Sequence, residues 1–192
     1  MNVIEAIEKR RAYRSLEPVE ISDGLIADLS RAAQLAPSCF NNQPWRFVFV
    51  RSEKALLALR PALSEGNEWA YGASLIVVVF SRREDDCLLR EREYHHFDCG
   101  LASAFLILRA TELGLVAHPI AGFSPKKVRA AVKIPEEYHV HTLIIVGRKA
   151  NELSPVLSAK QVEWERERPG RYPLEKFVFI DEFVAPSGLA AK

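Results

Sequence analysis

The chain is poor in the devices that usually announce a nucleotide enzyme. No Gly-x-Gly-x-x-Gly follows an apolar run, and no Gly-x-x-x-x-Gly-Lys-Ser/Thr occurs. A Rossmann or P-loop cradle is therefore excluded. No Gly-x-Ser-x-Gly is present, which removes the nucleophile elbow of a hydrolase. Charge of either sign is not in excess: 26 basic and 25 acidic residues leave a net charge of +1, so nothing favours nucleic acid or an anionic membrane surface. Cysteine is scarce. Cys39, Cys87 and Cys99 contain no Cys-x-x-Cys pair and suggest no disulfide framework, which points to a reducing compartment. The longest apolar run, Leu75 to Phe80, is strand-sized and too short to span a bilayer. The opening residues Met1-Asn2-Val3-Ile4-Glu5 carry acid where a secretory leader carries base. The expectation is a soluble, cytoplasmic protein without membrane or nucleic-acid partners.

What is present is a core. At 192 residues and 48% hydrophobic, the chain can fold as a single domain over residues 1–192. Val3, Ile4 and Ile7 recur at helical spacing, and Pro18 predicts an end near Tyr13. Ser22 caps a second helix through Ala33. Strands are predicted at Arg46–Val50, Leu75–Phe80, Thr142–Val146 and Phe177–Ile180. Lys54 to Ser64 reads as helix interrupted by Pro61, and Asp86 to Leu113 as one long helix ended by Gly114. Ser124-Pro125 opens a helix to Lys133. The fold class is α+β: a small, mostly antiparallel sheet wrapped by helices. About residues 151–192 read as an extended C-terminal arm.

Between the second helix and the Arg46 strand stands Pro37-Ser38-Cys39-Phe40-Asn41-Asn42-Gln43-Pro44-Trp45. Two prolines prevent it from being helix throughout. Its hydroxyl and amides can read a flat polar heterocycle without burying a charge, although the same residues make ordinary turns. Arg10, Arg11 and Arg14 fall within one predicted helical turn and suit a phosphate monoester, or else a solvated basic helix end. His118-Pro119-Ile120-Ala121-Gly122-Phe123 joins a strand end to a helix start, and its glycine permits close approach of backbone to a ligand. Cys87, His95, His96 and Cys99 invite a zinc reading, but their spacing is poor and no metal is expected there.

These pieces, in this order, resemble the nitroreductase family of FMN enzymes. Arg10-Arg11-Ala12-Tyr13-Arg14 is similar to the family's Arg-Arg-Ser-x-Arg motif at the FMN phosphate, with Ala12 in place of the usual serine. Pro37 to Trp45 is similar to its ring-binding loop, which implies cofactor contacts from Pro37, Ser38, Cys39, Asn41 and Gln43. Pro119, Ile120, Ala121 and Gly122 resemble the family's Pro-Ile-x-Gly-Phe, whose backbone runs beside the ring. Asn67 stands where many members place an asparagine, and Arg171 resembles a late arginine that closes on the phosphate. The resemblance implies a nitroreductase-like fold and a homodimer with FMN sites shared between subunits. It also implies ping-pong transfer of hydride from NADH or NADPH through flavin N5 to a nitroaromatic, quinone or similar small acceptor. No side-chain catalyst is implied, because the flavin carries the chemistry. Reductive dehalogenation, flavin cleavage, or a flavin-binding or redox-sensing module without turnover stand as alternatives on the same fold.

Overall fold

The computed structural model describes residues 1–184. Its helices are α1 (Val3–Lys9), α2 (Asp23–Gln34), α3 (Glu53–Leu59), α4 (Tyr94–Glu112), α5 (Pro125–Val132) and α6 (Ala159–Arg166). Its strands are β1 (Leu16–Glu17), β2 (Arg46–Val50), β3 (Leu75–Ser81), β4 (Leu88–Leu89), β5 (Arg92–Glu93), β6 (Val116–Ile120) and β7 (His139–Lys149). Five of them form one antiparallel sheet. β3 pairs with β2 on one side and β7 on the other, and β7 also carries β6 and, at Arg148 and Lys149, β1. The expected α+β architecture is the one observed.

The unbroken apolar run of β3 has a simple cause. Leu75, Val77 and Val79 enter a core with Leu29 and Ala33 of α2 and Leu106 of α4. Ile76 and Val78 enter a second core with Leu59 of α3 and Val128 of α5. Both faces of the sheet are covered, so alternation with polar residues is absent. No helix among the described residues is long and apolar enough to cross a membrane.

Four local expectations are corrected. α1 stops at Lys9 rather than near Tyr13. The next residues run extended because Glu165 accepts the backbone N–H groups of Arg14 (2.6 Å) and Ser15 (3.2 Å), replacing the bonds a helix would make. The long helix begins at Tyr94, not Asp86. There the Asp86 carboxylate accepts the N–H of Cys87 at 2.8 Å, and the chain turns through a β4–β5 hairpin with Arg90 at positive φ. The arm is not extended throughout: α6 forms on a capping box between Ser158 and Gln161. No strand forms at Phe177–Ile180. Leu174 accepts N–H bonds from Phe177 and Val178, which curls the backbone into a turn. Residues 185–192 of the expected arm lie outside the described residues.

Candidate cofactor site

The N-terminal arginines meet the C-terminal arm. Arg10, Arg11, Ala12 and Arg14 line a cavity of about 120 Å³ with Trp164, Arg168, Pro169 and Arg171. Arg11 Nη2 donates to the Trp164 carbonyl at 2.9 Å, and Arg168 donates to the carbonyls of Glu8 and Arg10. These bonds hold two chain segments more than 150 residues apart in one wall. Among the described residues, no ion pair involves Arg10, Arg11, Arg14, Arg168 or Arg171. Burial holds the Arg10 guanidinium below its ordinary pKa, and the charges of Arg168, Arg171 and Arg11 push the same way. Such a cleft is charged for an anion. The donor set fits the terminal phosphate of FMN. Sequence placed Arg10, Arg11, Arg14 and Arg171 here. It did not single out Arg168 or Trp164, which only the docking of α6 brings in. A larger hollow, about 580 Å³, lies among Pro18, Arg51, Leu57 and Tyr71 and contains none of the expected cofactor residues.

The Pro37–Gln43 loop is tightly braced. Cys39–Asn41 makes a single 3-10 turn, and the Gln43 N–H donates to Ser38 Oγ at 3.0 Å to close it. Phe40, Asn41 and Gln43 all have positive φ, a conformation a bulky Phe seldom adopts. Three outside restraints hold that strain. Cys39 N–H donates to Asp98 of α4 at 2.7 Å, Asn42 donates to Asp86 at 3.2 Å, and Arg46 donates to the Gln43 carbonyl at 3.0 Å. Burial raises the Asp98 pKa against the lowering effect of the Cys39 N–H. Cys39 and Cys87 are also joined as a disulfide, with Cα atoms 6.1 Å apart. That corrects the expectation of unpaired cysteines. The pairing became possible where the β4–β5 hairpin replaced helix and carried Cys87 to the loop. The argument for a reducing compartment from cysteine usage falls with it.

The third piece centres on Gly122. The last registered pair of β6 is Ile120 with Leu143, so the backbone leaves the sheet at Ala121 and Gly122. Asn67 Nδ2 and the Ser64 N–H both donate to the Gly122 carbonyl at 3.0 Å. A Cβ at position 122 would overlap Asn67 Nδ2, which is why a glycine stands there. The Trp69 indole N–H donates to Asn67 Oδ1 at 3.2 Å. The Asn67 amide thus spends one donor and one acceptor on the protein and keeps one of each for a ligand. Trp69 stacks on His118 with ring centroids 4.7 Å apart, and Arg14 lies over Trp69 at 5.8 Å. This stack ties the Gly122 corner to the arginine cleft, a link that sequence spacing does not show.

His118 is neutral. Its Nδ1–H donates to the Tyr13 carbonyl at 3.1 Å, and burial pushes its pKa down to about 4, aided by the Arg14 and Arg10 charges. The unfolded chain, with an ordinary histidine near 6.5, takes up the proton first. Stability from this group is complete above pH 6.5 and declines toward pH 4, by up to about 3 kcal/mol. His118→Gln is expected to flatten that part of the profile. Urea unfolding of both proteins across this range checks it; parallel profiles would contradict it.

Among the described residues, no hydrogen bond or ion pair joins the arginine cleft to the Pro37–Gln43 loop of the same chain. The antiparallel sheet with helices on both faces, an arginine cleft charged for an anion and, apart from it, a braced amide loop define an α+β protein with a candidate anion site. Comparison with known proteins identifies which. The sequence profile of the nitroreductase family matches residues 7–68 and 65–148, and the chain belongs to that family. A curated relative, an NADH dehydrogenase of Thermus thermophilus, is 28% identical over 178 residues, covering 77% of this chain and 86% of the relative. A crystal structure of an oxidoreductase containing FMN is 29% identical, with a TM-score of 0.80, covering 94% of this chain and 92% of that one. A nitroreductase family protein from Clostridium novyi NT is 26% identical with a TM-score of 0.74, covering 79% and 87%. Family membership makes this chain an oxidoreductase of nitroreductase type.

Proposed function

We propose that the protein is an FMN-dependent NAD(P)H oxidoreductase acting as a homodimer. FMN, if bound, would supply the hydride chemistry at N5 that links NADH or NADPH to a nitroaromatic, quinone or similar acceptor. The observation that carries the reading is the cleft of five arginines that, among the described residues, form no ion pair, in a chain of this family. Arg10, Arg11, Arg14 and Arg171 hold the phosphate there, with Ala12 on the cleft wall. Pro37, Ser38, Cys39, Asn41 and Gln43 present amides and backbone to the ring, held rigid by the braces above. Asn67 keeps a donor and an acceptor for the ring and positions Gly122, beside which Pro119, Ile120 and Ala121 complete the edge.

Two surfaces support the dimer. α4 leaves Phe97, Gly100, Ala104 and Phe105 exposed in one stripe. The arm exposes Tyr172, Leu174, Ile180 and Phe183. Burying a large apolar side chain is worth about 1.5–3 kcal/mol, so a partner that covers these gains substantially. Ala102 and Ser103, between Gly100 and Ala104 in sequence, face away from the α4 stripe and are buried.

The test is spectroscopic and kinetic. The purified protein is expected to be yellow, to release FMN rather than FAD, and to bleach with NADH or NADPH. Turnover with a quinone or nitro acceptor should give parallel double-reciprocal lines. Colourless protein that takes up no FMN at micromolar concentration would overturn the reading. Bound FMN that neither nicotinamide reduces would make it a binding module instead.

A further inference from the structure

Four of the five histidines of the chain meet at one place outside the cofactor residues: His95, His96, His139 and His141. Two come from the first turn of α4 and two from the start of β7. Ring centroids are 4.0 Å apart for His95 and His96, 5.0 Å for His96 and His141, and 5.5 Å for His95 and His141. One ligating nitrogen from each of these three rings lies within 4.8 Å of the other two.

Ser81, at the end of β3, is fully buried beneath them. Its Oγ lies 2.8 Å from His95 Nδ1 and 2.7 Å from His141 Nε2. One nitrogen of each ring is thereby occupied, and His95 Nε2 and His141 Nδ1 remain for a ligand. Oriented rings whose second nitrogen is tied to a neighbouring polar group are the usual support of metal-binding imidazoles. His141 Nδ1 stands 3.3 Å from His96 Nδ1, and His95 Nε2 stands 3.3 Å from Glu93 Oε2. Two ligands at zinc bonding distance on a tetrahedral ion are about 3.3–3.4 Å apart. The His96–His141 spacing therefore already has the edge length of such a site. His96 and Glu93 are partly exposed, which gives an ion access from solvent.

We propose that His95, His96 and His141 form a binding site for a divalent transition-metal ion of the zinc class, with the Glu93 carboxylate beside His95 and His96 adding negative charge at its rim. Three imidazoles hold the ion, and the fourth position of a tetrahedral sphere is left to water. The ion ties the N-terminus of α4 to the start of β7. Asp98, one turn beyond His95, holds the Cys39 N–H, so the ion also stiffens the anchor of the Pro37–Gln43 loop. This departs from the expectation drawn from sequence, which weighed a different set. The fold commits Cys87 to Cys39 and packs Cys99 into the core, while bringing in His141 from 45 residues beyond His96.

The test uses the full chain without an affinity tag, washed with chelator and titrated with Zn²⁺ alone, with FMN content measured in parallel. One equivalent per chain is expected, with a rise in melting temperature, and Co²⁺ should give the visible bands of tetrahedral coordination. His96→Gln and Glu93→Gln should each weaken binding. Ser81→Ala should weaken it by about 10- to 100-fold through loss of ring orientation. Cys99→Ser should bind as the parent does. Absence of uptake at micromolar zinc overturns the proposal, leaving a hydrogen-bonded histidine cluster. So does unchanged uptake in folded His96→Gln and Glu93→Gln proteins, or uptake that requires Cys99.

Discussion

Replacing Arg10 and Arg171 together by alanine is expected to give a folded protein that has lost its FMN. Each guanidinium supplies a charge-assisted hydrogen bond to phosphate worth about 1.5–3 kcal/mol. The pair then accounts for about 3–6 kcal/mol, or roughly two to four decades in Kd. The apo protein is a control with its own sign. Arg10 is held below its ordinary pKa by burial and by Arg168, Arg171 and Arg11, so removing two of these charges relieves repulsion rather than breaking an ion pair. The melting temperature without FMN should not fall. Arg168→Ala is a different experiment, because Arg168 also bonds to the carbonyls of Glu8 and Arg10 and its loss loosens the cleft wall. Titration of FMN against the apo proteins, read by flavin fluorescence, measures the effect. Parent-like affinity in the double variant would remove the arginine cleft from the site.

The parts of this architecture written in local pattern were legible. Leu75 to Phe80 read as a buried strand because both of its faces pack on helices, and Ser124-Pro125 read as a helix start because the cap is local. The arginines were legible as residues but not as geometry. Their extended path depends on Glu165, 151 residues beyond Arg14, which a helical reading of the first fourteen residues cannot include. The capping box of α6 was written in Ser158 and Gln161, but the segment is too polar to suggest a core-bearing helix. The disulfide was hidden for a related reason. Cys87 reaches Cys39 only because Asp86 diverts the chain into a hairpin where apolar periodicity suggested helix. Gly122 was singled out for closeness to a ligand, and its nearest neighbour is the Asn67 side chain, a contact across 55 residues.

Mixing two inactive variants is expected to restore activity. The arginine cleft and the Pro37–Gln43 loop share no hydrogen bond or ion pair within one chain among the described residues. The strained loop carries Phe40 87% exposed, and α4 and the arm display further apolar surface. If each flavin site is built from the cleft of one subunit and the loop of its partner, a monomer holds only halves. One variant, Arg10→Ala with Arg171→Ala, spoils the cleft; another, Ser38→Ala with Asn41→Ala, spoils the loop. Each homodimer then has two damaged sites. Unfolded together under reducing conditions and refolded with FMN, random pairing makes about half the dimers mixed, and each mixed dimer has one intact site beside one doubly damaged site. About one quarter of parent activity should return in the mixture. FMN should also favour the dimer by mass action, since it binds only the assembled site. Differently tagged chains confirm that mixed dimers form. Mixed dimers that stay inactive would place each site within a single chain.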